Sequence, residues 1–256
     1  MPIIKILNFP PLSYAGTEAI NTLCTNLTFS GDGVKRIMIT SCHASEGKST
    51  ISMNVMRTMA KLGKKVVLVD ADLRRSTIQQ HYGLQLPAPD SPGLTHLLAG
   101  MVREEDVLYA TDIPGASIIP VVKTVSSSLS LLNSDKLGKL LDLLAQYFDY
   151  VIVDAPPIGA LIDAAQIARF CDGTLLIVNY NSVRKQELLD AKQQLEATGC
   201  PILGTVINQA QFDSYINRKY YYKSYYSHYS TYYDKSGDKT AKKGRATKTK
   251  DRQGQA

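Results

Sequence analysis

Three short stretches of this chain hold the residue types that phosphate chemistry needs. Ile37–Thr40 runs as an apolar strand into Ser41, Cys42, His43, Ala44, Ser45, Glu46, Gly47, Lys48, Ser49 and Thr50, and a helical pattern follows at once. In a strand, loop and helix setting, unpaired backbone N–H groups and the positive end of the helix favour an anion. Lys48 would reach the β- and γ-phosphates of ATP, and the Ser49 hydroxyl would bind Mg²⁺. Glu46, Gly47 and Thr50 complete the expected nucleotide-binding turn. The GxxxxGK[ST] pattern departs at its first position, where Cys42 stands for Gly, but Cys42, Ala44 and Ser45 are small enough for a tight loop.

Two acidic stretches could serve the same ligand. Val66–Val69 lead into Asp70, Ala71, Asp72, Leu73 and Arg74, and Tyr150–Val153 lead into Asp154, Ala155, Pro156 and Pro157. Each apolar run ends on carboxylates at the edge of the sheet where α/β proteins bind ligands. Asp154 is suited to the water shell of Mg²⁺, an ion that takes one or two carboxylates beside phosphate oxygens. A single Asp at a strand end is often only the cap of the next helix. Three carboxylates behind one phosphate loop favour ligand chemistry.

The elements that must position these residues alternate in type. Strands are expected at Arg36–Thr40, Lys65–Val69, Ala116–Val121, Tyr150–Val153, Thr174–Val178 and Ile202–Ile207, most of them continuously apolar as strands buried on both faces are. Helices are expected at Thr17–Phe29, Lys48–Leu62, Ser134–Phe148, Leu161–Arg169 and Val183–Thr198. This is the pattern of an α/β P-loop NTPase fold, a mostly parallel sheet with helices on both faces. The Pro-rich Leu86–Pro92 and the Ser-rich Lys123–Ser130 read as loops near the site or on its rim.

After Phe212 the hydrophobic pattern stops, so a domain is expected over residues 1–212 and a disordered tail over 213–256. That tail carries eleven Lys or Arg against four Asp, a net +7 that leaves −1 for the other 212 residues of a +6 chain. The basic balance therefore belongs to the extension, and no nucleic-acid partner is expected of the domain. Nine of the fifteen tyrosines lie between Tyr215 and Tyr233, with Ile216 the one aliphatic residue among them, so they read as exposed hydroxyls rather than core. An aggregation-prone tract, a stacking surface for single strands and a membrane-interface segment are the other uses such a tract could have. The scattered Cys24, Cys42, Cys171 and Cys200 suggest neither a zinc site nor a disulfide scaffold. No apolar run reaches the ~18 residues of a membrane span, and Met1–Pro11 does not read as a signal peptide. A cytoplasmic protein is expected.

The loop ending GKST, the run ending DADLR and the run ending DAPP together resemble the Walker A, A′ and B motifs of the bacterial tyrosine kinases, regulators of capsule and exopolysaccharide, in their separate-chain Gram-positive form. The resemblance spans about residues 13–233. It implies ATP-dependent tyrosine autophosphorylation, with Lys48, Asp70 and Asp72 acting in catalysis, Ser49, Asp70 and Asp154 around Mg²⁺, and Asn208 against the adenine. It implies Tyr220, Tyr221, Tyr222, Tyr225, Tyr226, Tyr229, Tyr232 and Tyr233 as phosphoacceptors, self-association in trans, a membrane-embedded polysaccharide co-polymerase adaptor and an opposing tyrosine phosphatase. The protein would then sit at the inner membrane face through its adaptor. In the family's N-terminal helix a Glu is followed at three-residue steps by two Arg; here Glu18 is followed by Asn21 and Cys24. A rival within the superfamily is the nucleotide-gated partitioning or cell-division ATPase, whose signature lysine position holds His43 in this chain.

Overall fold

Side chains that alternate across pleated strands explain both layers of the molecule. The computed structural model describes residues 1–31, 33–159, 162–180 and 182–210. The strands are β1 (Ile3–Ile6), β2 (Arg36–Ser41), β3 (Val66–Asp70), β4 (Leu84–Gln85), β5 (Tyr109–Thr111), β6 (Ala116–Ile119), β7 (Tyr150–Asp154), β8 (Gly173–Asn179) and β9 (Ile202–Asn208). The helices are α1 (Tyr14–Thr28), α2 (Lys48–Lys61), α3 (Ile78–Tyr82), α4 (Leu94–Leu98), α5 (Glu104–Val107), α6 (Leu129–Leu132), α7 (Lys136–Tyr147), α8 (Ile162–Ala168) and α9 (Lys185–Glu196).

One sheet runs in the order β4-β1-β5-β6-β3-β7-β2-β8-β9. From β6 to β9 every pairing is parallel, while β5 meets β6 and β1 meets β4 in antiparallel fashion. In β3, Val67 and Val69 enter one core while Val66 and Leu68 enter the other; β7 divides Val151 and Val153 from Ile152 in the same way. Both faces are therefore apolar, and each needs helices to cover it. The Val67 face is covered by α4, α7, α8 and α9, and the Val66 face by α1, α2 and α3. Helix α7 supplies Leu137, Leu140, Leu141 and Leu144, the i, i+3, i+4, i+7 stripe of an amphipathic helix.

The six expected strands and five expected helices are present, with ends shifted by up to three residues. The expected disorder of residues 213–256 lies outside the described residues, as do the tail tyrosines. Elements that the sequence did not announce are the short strands β1, β4 and β5 and the helices α3 to α6, none longer than five residues. Segments this short carry little periodic signal and are held by contacts made far away in sequence. An example is β1, whose Ile3 pairs with Ala110 and whose Lys5 pairs with Gln85. Within the Ser-rich stretch expected as a loop, the start of α6 claims Leu129 and Ser130.

Leu68 lies fully buried at the centre of this architecture. Replacing it by Ala removes apolar area and leaves a cavity, which costs about 2–5 kcal/mol. Urea unfolding of Leu68→Ala is expected to show a lower midpoint with an unchanged slope.

Candidate functional site

The phosphate loop leaves β2 and is closed by its own carboxylate. Glu46 is buried, and its side chain accepts from the backbone N–H of His43 at 2.8 Å and from that of Asn179, at the end of β8, at 3.2 Å. Its carbonyl accepts from Asn208 Nδ2 at 2.9 Å, so β9 is tied to the same turn. Ser41 Oγ donates to the His43 carbonyl at 2.6 Å. The left-handed conformations fall at Ser45 (φ 64°) and Gly47 (φ 87°) and not at Cys42. This accounts for the missing first glycine: the backbone asks for none there, and the small thiol packs into the core. At Gly47 the demand is strict, because a Cβ would lie 2.1 Å from Asn208 Nδ2 on a backbone already at positive φ.

Helix α2 begins at Lys48 and divides its first polar residues between two directions. Ser49 Oγ donates to Asp154 Oδ2 at 2.6 Å, and Ser52 Oγ donates to Asp154 Oδ1 at 2.9 Å. The Thr50 side chain, by contrast, lies beside the Tyr82 hydroxyl. Lys48 Nζ lies 3.1 Å from Asp72 Oδ2 and 3.4 Å from Ser49 Oγ. The other oxygen of Asp72 accepts from the Arg75 N–H at 3.0 Å. Asp70 and Asp154 stand side by side, directly paired across the last rung of β3 and β7. Ser76 donates to Asp70 Oδ2, whereas the buried Asp70 Oδ1 has no hydrogen-bond partner.

Backbone contacts lock the loop after β7 beneath the phosphate loop. The Ile158 N–H donates to the Ser41 carbonyl at 2.9 Å, and Thr40 Oγ1 donates to the Pro156 carbonyl at 2.7 Å. The approach is so close that a Cβ on Gly159 would lie 2.6 Å from the Cys42 carbonyl oxygen.

The electrostatics follow from burial. Desolvation, joined by repulsion from Asp154, pushes the Asp70 carboxyl up to about 7. Asp154 is also raised by burial, against the opposing pull of Lys48, Ser49 and Ser52. For Lys48, burial works against the charge, but Asp154, Asp72 and Asp70 outweigh it and the net direction is upward. A lysine among three carboxylates at the start of a helix is a site for a polyanion with its counter-cation. The donor set fits Mg²⁺: hard oxygens from Ser49, Asp70 and Asp154, one of them lacking any partner.

Residues 34–186 match the AAA domain family. Tyrosine-protein kinase CpsD of Streptococcus pneumoniae is 38% identical over 192 residues, which cover 75% of this chain and 83% of the relative. The chain belongs to the bacterial tyrosine kinases. The fold of this kinase matches the chimerical protein CapA2B2 with a TM-score of 0.71 and 28% identity, over 82% of this chain and 94% of that one. The septum site-determining protein MinD of Pyrococcus horikoshii shares the fold at a TM-score of 0.57, with 23% identity over 68% and 70% of the two chains.

The kinase thus brings Lys48, Ser49, Asp70, Asp72 and Asp154 into one cluster, with Glu46, Gly47 and Asn208 tied to its loop; Thr50 faces Tyr82 instead. His43, at the signature-lysine position of the partitioning ATPases, is 3.3 Å from Glu187 Oε2 of α9. In α1, Asn21 donates to Glu18 at 3.3 Å and Cys24 is fully buried against α2, its Sγ 3.9 Å from the Val55 carbonyl. Sequence reasoning missed Ser52 and Ser76. Ser52 had a signal, since it lies three residues after Ser49 and shares its helix face; Ser76 sits in an irregular loop and had none.

Burial of Asp70 sets a pH dependence. Its folded value of about 7 lies above the ordinary 3.8, so between those values the folded kinase holds a proton that the unfolded chain releases. Asp70 therefore contributes stability that is full below its ordinary value and is lost as pH rises towards its folded value. Urea titrations of nucleotide-free and metal-free kinase are expected to show stability falling across that window, and Asp70→Asn is expected to flatten the fall.

Proposed function

We propose that this kinase phosphorylates tyrosines of its own C-terminal segment with ATP, in trans between copies, and thereby regulates capsular or exopolysaccharide synthesis and export. In this reading residues 1–212 form the catalytic domain and residues 213–256 the acceptor segment. The observation that carries it is Lys48 held among Asp70, Asp72 and Asp154 at the mouth of a P-loop, in a chain that also carries nine tyrosines between Tyr215 and Tyr233.

The proposed roles draw on the placement of these side chains and on the resemblance to the bacterial tyrosine kinases. The start of α2 and the loop N–H groups bind the ATP phosphates, and Lys48 leaves Asp72 to meet the β- and γ-phosphates. Ser49, Asp70 and Asp154 would hold Mg²⁺, which, when bound, neutralises phosphate charge. Asp72, released from Lys48, orients the incoming tyrosine hydroxyl and accepts its proton. A phenol ordinarily titrates near ~10 and needs such a base at neutral pH. Asn208, beside the loop, contacts the adenine. Each phosphate added brings about −1.5 to −2 charges, enough that modification of the cluster reverses the +7 of the segment.

A membrane-embedded polysaccharide co-polymerase adaptor and an opposing tyrosine phosphatase complete the proposal and place the kinase at the inner membrane face. Among the described residues no helix is long and apolar enough to cross a membrane. The likeness to MinD supports a second reading, a nucleotide-gated assembly ATPase without kinase activity. That reading asks for a lysine where His43 stands.

With radiolabelled ATP, the full chain beside its adaptor is expected to label its tail tyrosines and Lys48→Met to lose at least ~100-fold of the rate. Equal labelling of both would rule the kinase site out. Mass spectrometry of the C-terminal peptide in cells is expected to find phosphotyrosine, and bare tyrosine under every growth condition would favour the assembly ATPase.

A further inference from the structure

Outside the phosphate site, a buried polar cluster joins three segments distant in sequence. Arg74 Nε donates to Asp163 Oδ2 at 2.8 Å and to Ser128 Oγ at 2.8 Å. Its Nη1 donates to the Ser126 carbonyl at 2.9 Å, and its Nη2 lies 3.5 Å from Asp163 Oδ1. Ser128 itself donates to Asp163, which closes a ring of three side chains. Asp163 and Ser128 are fully buried, 1% and 0% exposed. The Val125 N–H adds a backbone bond to the Leu73 carbonyl at 2.9 Å.

The segments joined are the turn after β3, the Ser-rich stretch that leads into α6, and the first turn of α8. Arg74 is two residues from Asp72 and next to Arg75, whose N–H holds Asp72 Oδ1. The side chain of Asp72 is thus fixed from one side by Lys48, and the turn that carries it is fixed from the other by Arg74. When Lys48 is drawn to phosphate, the Arg75 N–H and the turn braced by Arg74 are the restraints that remain.

We propose that Arg74, Ser128 and Asp163 are positioning residues that keep Asp72 in place for phosphoryl transfer after Lys48 has left it. The inference rests on the kinase reading given above. A fork of five donors on a planar guanidinium is suited to this task, since it bonds all three segments at once, which a lysine ammonium does with far less directional constraint. The ring also ties the stretch Ser126–Ser128 to the turn that carries Asp72.

The test compares the full chain with Asp163→Asn, Arg74→Lys and Ser128→Ala, measuring kcat for tail phosphorylation, KM for Mg-ATP, binding of a fluorescent ADP and the melting temperature. Loss of positioning without loss of binding predicts that kcat falls roughly tenfold or more in Asp163→Asn and Arg74→Lys, because small misplacements are amplified in the rate. Ser128→Ala is expected to lose roughly threefold, having given up one hydroxyl of the ring. In all three, KM and ADP affinity are expected to stay within about twofold of the parent. Asp163→Asn is the mild substitution, since the partly exposed Arg74 it leaves can reach water, whereas removal of Arg74 strands a buried carboxylate. A parental kcat per folded molecule in Asp163→Asn and Arg74→Lys overturns the inference, as does a rate loss matched by lost ADP binding. Should Asp163→Asn and Arg74→Lys fail to fold, a parental kcat in Ser128→Ala overturns it alone. In each of these cases the parent remains active and Lys48→Met silent, so the kinase reading survives; a silent parent sinks both.

Discussion

The whole site depends on one constraint: three carboxylates and one lysine must share the low-dielectric edge of a parallel sheet. Two neighbouring acids at the ends of β3 and β7, both buried, repel each other and resist ionisation. Lys48 relieves that strain, and Ser49, Ser52 and Ser76 relieve more of it by donating hydrogen bonds. Unpaired charge here would destabilise far more than at the surface. The cluster is therefore adapted to exchange partners: a phosphate can take the lysine, and a divalent cation can take the acids.

Parallel strands make that constraint possible. Their carboxyl ends all emerge on one side, so three separate loops converge without any one of them being long. The register places Ile39 beside Asp154, and Asp154 beside Asp70, which puts the phosphate loop one strand from the nearer acid and two from the farther. Bonds such as Ile158 N–H to Ser41 carbonyl and Ala71 N–H to Asp154 carbonyl then bind loop to loop. The likeness to both CapA2B2 and MinD lies in this framework.

Much of this arrangement is legible in the amino-acid sequence. Runs such as Val66–Val69 and Tyr150–Val153 serve both faces of the sheet and announce themselves without periodicity, and each is followed by one of the two paired acids, Asp70 and Asp154. The P-loop can be read because a strand, a glycine turn and a lysine must occur in that order. The remainder is hidden for physical reasons. Strands β1 and β4 are two to four residues long and exist because distant partners complete their ladders. The Arg74–Asp163 pair spans 89 residues, and no spacing rule connects them. Glu46 illustrates a subtler gap: its position marks it as part of a phosphate loop, but nothing in the sequence says that its side chain turns inward to hold the loop itself.

That inward carboxylate bears on how the protein meets a nucleotide. A turn whose amides are already braced by an internal acid has little backbone freedom left to surrender when an anion arrives. Free energy from phosphate contacts then goes into affinity rather than into ordering. The backbone carbonyl of that same residue, Glu46, holds Asn208 at the end of β9, so the turn is braced from a second strand as well.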